Sequence, residues 1–335
     1  MASFDTNIPN IAFPHEVDEV VISAQEATAV KITFNSKVLI DTTLYPIDGK
    51  IELKGLANLF IDLMDGKLGQ LRIFLDGSSS GPTCQILPCT LYLSHTYTEV
   101  SDGLFLTRAT FKYTHAEAKE LLHVTADTKT ISIKGFVRVK SGGEWFVQEF
   151  TNSISDTGTI ATIDVSPCNL FALDSYELAE YTVEVGGASI KYRMIPSGMA
   201  DTLHEFGFIN SFMQEEYITL MGEAEREQKT ERLSAYVGGQ YRNFRVEAVP
   251  YWTIHSGVLP DGMQGLFDDF IASKKVWRKE DNCAMAVTDA VYRTKDSSNA
   301  INEGTVTLRE TGRTYRHRLP RPIQTFDHTF DDTFQ

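Results

Sequence analysis

Pairs of adjacent acidic residues are the groups in this sequence whose type best suits acid–base chemistry. The pairs of identical residues are Glu215-Glu216, Asp268-Asp269 and Asp331-Asp332. Hydrolysis of a glycosidic bond needs two carboxyl groups that face each other across a cleft, and such groups usually come from different strands. Adjacent acidic residues on a helix or loop more often face solvent. We therefore expect these pairs to be solvated rather than catalytic.

Metal and nucleophile chemistry has no local support either. The 8 histidines are His15, His95, His115, His123, His204, His255, His317 and His328. None forms an H-x-x-x-H or H-x-H pair, which would place two imidazoles on one metal ion. The sequence also has no Walker loop and no G-x-G-x-x-G. We predict no catalytic residue, no metal site and no cofactor; a site assembled from distant residues is the alternative left open.

The 4 cysteines are Cys84, Cys89, Cys168 and Cys283. Cys84 and Cys89 flank Gln-Ile-Leu-Pro, which permits a local disulfide, but the spacing is not that of a zinc knuckle and no second pair follows. We predict structural thiols and leave the pairing of Cys84 with Cys89 open.

Aromatic residues support a different function. Trp145, Trp252 and Trp277 fall in predicted strands. Exposed aromatic rings on a β-sandwich can bind sugars by stacking, but half-buried aromatics are also ordinary parts of a sheet core. A monomeric carbohydrate-binding or adhesin-type β-sandwich is therefore the alternative hypothesis for function.

Composition bounds the class of protein. The 335 residues include 31 basic and 45 acidic ones, giving a formal net charge of −14. This balance argues against non-specific nucleic-acid binding, which needs clustered Lys and Arg, and suits a surface that must not adhere to DNA. No apolar run approaches the ~18 residues of a membrane span. The first residues have neither a basic segment nor an apolar core, so we expect no signal peptide and synthesis in a cytoplasm.

Short alternating runs punctuated by Gly, Asp and Asn predict a mainly β protein of sandwich or barrel domains with a few short helices. Asp48-Gly49 indicates a hairpin between strands 37–40 and 50–53. Further hairpins are expected over 130–150 and 181–195. Apolar spacing predicts a helix over 56–64. Thr114-His-Ala-Glu117 has the form of a capping box, which predicts a short helix to about His123.

The clearest helix covers residues 260–274. Its apolar residues fall on one face at helical spacing. They are Met263, Leu266, Phe267, Phe270 and Ile271. The charged run 223–232 has helical propensity but no apolar stripe, so we favour strands there, followed by a tight turn at Gly238-Gly239.

The length favours two or three domains. We predict an N-terminal arm over 1–14, a β-rich domain over 15–197 with two subdomains divided near 100–125, a second β domain over 198–319, and a C-terminal arm over 320–335. In that arm Phe326, Phe330 and Phe334 recur at every fourth position. Each could contribute about 2 kcal/mol if docked. They either fold back on their own domain or form a subunit interface.

A series of short motifs runs through residues 203–335. It includes Phe206 to Phe212, a Glu-Tyr-Ile-Thr-Leu-Met-Gly strand and Ala235-Tyr-Val-Gly-Gly. It continues through Thr253 to Leu259, Ser273-Lys-Lys-Val-Trp277 and the Phe-Asp-x-Thr-Phe ending. In these motifs residues 203–335 resemble structural proteins of tailed bacteriophages and prophages of Bacteroides-type bacteria.

The resemblance implies a distal-tail, baseplate or tail-tube-like domain, a β-sandwich or barrel with one flanking helix. Such a domain implies a homo-oligomeric ring around the tail axis, usually sixfold, that contacts tube, hub or receptor-binding proteins. DNA would pass through the lumen without specific binding, no membrane insertion would occur, and the protein would reside in the virion tail.

Overall fold

The computed structural model describes residues 2–311 except for 79, 92, 101–103, 126–128, 140–144, 155–159, 172–175, 186, 197, 200–202 and 294–301. Strands account for 53% of the structure and helices for 13%. The predicted mainly β class with a few short helices is confirmed.

Two sheets form the N-terminal part. A three-stranded sheet has the order β1-β3-β6, with β1 Ser3–Phe4, β3 Glu19–Ser23 and β6 Lys50–Lys54. A five-stranded sheet has the order β2-β8-β7-β4-β5, with β2 Ile11–Ala12, β8 Thr83–Ile86, β7 Gly69–Leu75, β4 Thr28–Phe34 and β5 Lys37–Leu44. Ile22 and Leu53 from the first sheet pack in one cluster with Ile32 and Ile73 from the second. The alternate residues of each strand thus build a sandwich core.

The first residues belong to these sheets. Ser3 pairs with Ser23 in an antiparallel ladder, and Ile11 pairs with Gln85 in a parallel one. Phe13 is fully buried. The stretch predicted as an arm is extended, but it packs on this chain.

The predicted hairpin at Asp48-Gly49 is wrong, although the turn itself exists. Asp48 and Gly49 both have positive φ, at 51° and 78°. However, β5 pairs with β4 and β6 pairs with β3, so the strands on either side lie in different sheets. The turn therefore connects the two layers of the sandwich. Between β6 and β7, the predicted helix is present as α1 Ala57–Phe60 and a 3-10 turn Ile61–Leu63.

Two further sheets form the middle part. The five-stranded sheet has the order β10-β16-β15-β12-β13, with β10 Phe111–Thr114, β16 Ala188–Met194, β15 Tyr176–Val185, β12 Lys129–Val139 and β13 Trp145–Ile154. The three-stranded sheet has the order β14-β11-β9, with β14 Ile160–Asp164, β11 Leu121–Thr125 and β9 Leu104–Phe105. Short helices are α2 Tyr97–Val100 and α3 Pro167–Leu170. Tyr181 and Tyr192 stack at 4.6 Å in the shared core. Both predicted hairpins of this part are confirmed.

The helix predicted from the Thr114–Glu117 capping box is wrong. Thr114 ends strand β10, and its side chain is fully buried. The stretch up to His123 turns at residues 116–117 and then enters β11, which pairs with β14 and β9. The segment Leu121 to Thr125 is largely buried, and pairing and burial in this sheet stabilise it more than one local cap would stabilise a helix.

A seven-stranded antiparallel sheet forms the C-terminal part, in the order β18-β17-β21-β22-β23-β20-β19. Its strands are β17 His204–Ile209, β18 Glu215–Leu220, β19 Ala224–Val237, β20 Gln240–His255, β21 Val276–Arg278, β22 Cys283–Arg293 and β23 Glu303–Glu310. The predicted helix is confirmed as a 3-10 turn Asp261–Met263 followed by α4 Gln264–Ala272. Phe270 of α4 is fully buried against Phe206 and Phe208 of β17. The order strands, helix, strands is thus present, while the predicted domain boundaries stay predictions.

Candidate interaction surface

The acidic pairs do not lie where they were expected. Glu216 and Asp269 are buried, at 3% and 5% exposure, while their neighbours Glu215 and Asp268 are partly exposed. Alternation along β18 turns one glutamate of its pair inward. The expectation of two solvated pairs is therefore wrong for one member of each, and Asp331-Asp332 lies outside the described residues.

A buried charge cluster surrounds Glu216. Lys112 Nζ lies 2.6 Å from Glu120 Oε2 and 3.8 Å from Glu216 Oε1, with all three side chains at most 3% exposed. Thr107 donates its hydroxyl to Glu216 Oε1 at 2.5 Å, and Asn210 donates its amide to Oε2 at 2.8 Å. Burial raises the pKa of Glu120 and of Glu216, and Lys112 opposes the rise in both. The cluster holds β10 of the middle part against β18 of the C-terminal sheet.

Asp269 makes a second bond between the same two parts. Its Oδ1 pairs with Arg108 Nη1 at 3.1 Å, and its Oδ2 accepts from the amide and hydroxyl of Ser211 at 3.1 and 2.7 Å. Its lone pairs are thus satisfied within the protein. A reacting group would need open space beside it, so the role that this geometry supports is fixing α4 to the neighbouring loops.

The structure places His123, Cys84 and Cys89 in structural surroundings. Among the described residues, no group of three or more His, Cys, Asp and Glu is arranged to hold a metal ion. His123 bridges Thr162 and the carbonyl of Glu215, and burial lowers its pKa. Cys84 and Cys89 are buried free thiols, and burial raises the pKa of each to about 12. These two cysteines are structural thiols and do not pair.

Trp252 and Trp277 do not form an exposed platform for sugar stacking. Guanidinium groups of Arg226 and Arg278 lie over the Trp252 ring at 5.3 and 5.1 Å. Trp277 packs on Gly207, where an added Cβ would lie 2.3 Å from its ring. Both half-buried indoles are therefore covered by neighbouring residues of this chain, and the Trp145 side chain lies outside the described part of the structure.

The feature that stands out is the hairpin of β19 and β20, which extends beyond its sheet. Among the described residues, β20 pairs with β23 over Tyr251–His255, whereas β19 pairs with β20 from Ala224↔Ile254 to Val237↔Gln240. Within the part of the chain that the structure describes, residues 228–250 thus pair only with each other, as a two-stranded ribbon about 30 Å long at roughly 3.3 Å per residue. This confirms the strands favoured over 223–232.

The ribbon ends in a tight turn that presents aromatic side chains. Gly238 and Gly239 have φ of 62° and 83°, and a Cβ added to either would meet nothing within 4 Å. Two positive φ values in succession are what a type I′ hairpin turn requires, so the predicted turn is confirmed. Tyr236 and Tyr241 face each other across the ladder, 65% and 80% exposed, with ring centroids 5.1 Å apart. Leu233 is 52% exposed nearby.

The same tip is basic on an acidic protein. Residues 232–245, called here the hairpin tip, contain Arg232, Arg242 and Arg245 and no acidic residue, a formal charge of +3. The whole chain carries −14, so the rest carries −14 − 3 = −17. Exposed tyrosine and arginine are the residue types that dominate binding energy at protein interfaces. We therefore take the hairpin tip as the candidate interaction surface.

Sequence reasoning found the turn and missed the surface. Leu233, Tyr236 and Tyr241 look like ordinary strand residues in the sequence, and only the pairing of β20 with β23 shows where the sheet stops supporting them. The net charge of 232–245 was the available signal. The predicted interface residues Phe326, Phe330 and Phe334 lie outside the described residues.

Comparison with known proteins found weak structural similarity and no matching family. No protein-family model matches the chain, and no curated protein matches it. Among solved structures, one similar chain comes from the "Virion of native gene transfer agent (GTA) particle", with 12% identity, a TM-score of 0.22, and coverage of 33% of this chain and 92% of that chain. A TM-score of this size does not establish a shared fold. Within the described residues, no helix is both long and apolar enough to cross a bilayer.

Proposed function

We propose that this protein is a non-enzymatic structural component of a phage tail. In this proposal, copies assemble into a ring around the tail axis, in the distal-tail or baseplate region, and offer attachment to tube, hub or receptor-binding proteins. The resemblance of residues 203–335 to phage structural proteins supports the assignment. Its location would be the virion tail.

The observation that carries the proposal is the projecting hairpin. Tyr236, Tyr241 and Leu233 present large apolar side chains to solvent on a ribbon that no other described strand supports. Burial of each such side chain against a partner would contribute about 1.5–3 kcal/mol. In a monomer these apolar side chains stay in water, and a two-stranded ribbon is only marginally stable by itself. An assembly gains both the apolar burial and support for the ribbon.

The charge distribution fits a ring through which DNA passes. Removing the tip leaves a body of charge −17, calculated as −14 minus +3. A strongly acidic wall repels phosphate and lets a duplex slide without specific binding. The C-terminal residues Phe326, Phe330 and Phe334 are proposed as a second subunit contact.

The test is self-assembly of the purified chain. Multi-angle light scattering gives the native mass, and negative-stain electron microscopy shows whether the particles are closed rings. We expect one discrete multimer with rotational symmetry, weakened in Tyr236→Ser/Tyr241→Ser. The matched control Met199→Ser/Val258→Ser changes side chains that are 46% and 45% exposed elsewhere and should assemble like the parent. A parent that is monomeric at all concentrations would contradict the proposal.

A further inference from the structure

Strong apolar exposure is confined to two places in the described chain. Four large apolar side chains are more than 60% exposed: Tyr45, Ile47, Tyr236 and Tyr241, at 77%, 79%, 65% and 80%. Two belong to the hairpin tip, and two belong to the loop between β5 and β6. We call residues 41–50, which are the end of β5, this loop and the first residue of β6, the loop patch.

The backbone of the loop patch is held in place by hydrogen bonds. Ile47 and Lys50 exchange backbone hydrogen bonds of 2.8 and 3.0 Å, and the carbonyl of Gly49 accepts from the amide of Ala24 at 3.0 Å. Asp48 and Gly49 hold the positive φ values that the turn requires. The loop backbone is thereby fixed to the sandwich, so binding through Tyr45 and Ile47 would cost little backbone entropy.

The two patches have opposite charge. Residues 41–50 contain Asp41, Asp48 and Lys50, a formal charge of −1, against +3 on the hairpin tip. Asp41 pairs with Lys31 at 3.3 Å, but that pair is 46% and 63% exposed and holds the carboxylate only weakly. Guanidinium groups facing carboxylates around an apolar centre give both attraction and register.

The two patches do not cover each other within one chain, since both are exposed in it. A contact between two different patches on identical copies is heterologous, and it continues from copy to copy until it closes into a ring or extends as a filament. A contact of the hairpin tip with itself would stop at a dimer and would bring arginines together.

We infer that the hairpin tip of one copy docks on the loop patch of the next copy, with Tyr236 and Tyr241 against Tyr45 and Ile47. This inference rests on the proposed assembly and names its contact. The occupant of each patch is thus a second copy of this chain, chosen by its charge and by its matching apolar exposure.

The experiment uses two variants of the full chain. The tip variant is Tyr236→Ser/Tyr241→Ser, and the loop variant is Tyr45→Ser/Ile47→Ser. All four side chains are mostly in solvent, so circular dichroism and melting temperature should match the parent. Each variant should need at least about a hundredfold higher concentration to assemble, taking about tenfold for each lost anchor.

The decisive sample is an equal mixture of the two variants, measured by light scattering. The tip variant retains an intact loop patch, and the loop variant retains an intact hairpin tip. The mixture should therefore form a one-to-one dimer. Assembly should stop there, because the two patches left over in that dimer are the altered ones. A mixture that stays monomeric, or a loop variant that assembles like the parent, overturns the inference while the parent's multimer keeps the proposed function standing. A parent that is monomeric at every concentration overturns both.

Discussion

Replacing Lys112 with Met tests the reasoning about the buried charge cluster. The ammonium is 2% exposed and lies between Glu120, at 2.6 Å, and Glu216, at 3.8 Å. The substitution removes the charge and keeps most of the volume, so it leaves two carboxyl groups buried without their cation. Loss of one partner from a buried ion pair costs about 3–5 kcal/mol, because the remaining charge is uncompensated. We expect a fall of that size in the free energy of unfolding at neutral pH.

The loss should depend on pH in a defined direction. Burial raises the pKa of Glu120 and Glu216 above the ordinary 4.5, and Lys112 opposes the rise. Without Lys112 both values rise further. A carboxyl whose pKa is raised by folding holds its proton more tightly in the folded chain, so the stability it permits is present below pH 4.5 and is lost as the pH increases towards the raised value. The deficit of Lys112→Met should therefore be smallest near pH 4.5 and should grow towards pH 8.

The assay is urea unfolding at several pH values, followed by circular dichroism. The matched control is Lys191→Met on the neighbouring strand, because Lys191 pairs with Glu180 at 2.9 Å while 42% exposed. An exposed pair of this kind contributes about 0.2–1 kcal/mol. Equal losses in the two variants, or a deficit in Lys112→Met that does not grow with pH, would refute the reasoning about the cluster.

Two further predictions concern packing and thiol reactivity. Gly207→Ala places a Cβ 2.3 Å from the indole beside it and should lower the free energy of unfolding by about 1–3 kcal/mol, whereas Gly198→Ala, with nothing within 4 Å, should be close to neutral in the same urea assay. Maleimide labelling at pH 8, read by mass spectrometry, should modify exposed Cys168 in the native protein but reach buried Cys84 and Cys89, whose pKa is about 12, only on unfolding. Native labelling of the buried thiols at the rate of Cys168 would contradict their assigned environment.

Local patterns predicted the elements that local forces decide. The apolar stripe from Met263 to Ile271 predicted helix α4, and Gly238-Gly239 predicted a turn that needs two positive φ values. The charged run 223–232 was assigned to strands because it lacks an apolar stripe, and the ladder with β20 confirms that choice. In each case the interactions that decide the element are made with residues a few positions away in the sequence, or with the strand that follows after one turn.

Elements decided by distant partners were not predictable in this way. The box Thr114-His-Ala-Glu117 favours a helix locally, but burial of the following strand β11 prevails. Lys112 is separated from Glu216 by about a hundred residues, and no pattern distinguishes Glu216 from the solvated Glu215 beside it. The hairpin tip was missed because its residues look like those of a strand inside a sheet, whereas no described strand other than β19 and β20 pairs there.

The measurement that tests the central claim most directly is the native mass of the full-length chain, by light scattering over a range of concentrations, beside a version ending at Pro320. Self-assembly as a tail component predicts one discrete multimer for the full chain and a weaker one without Phe326, Phe330 and Phe334. A monomer in both preparations at every concentration would contradict the account.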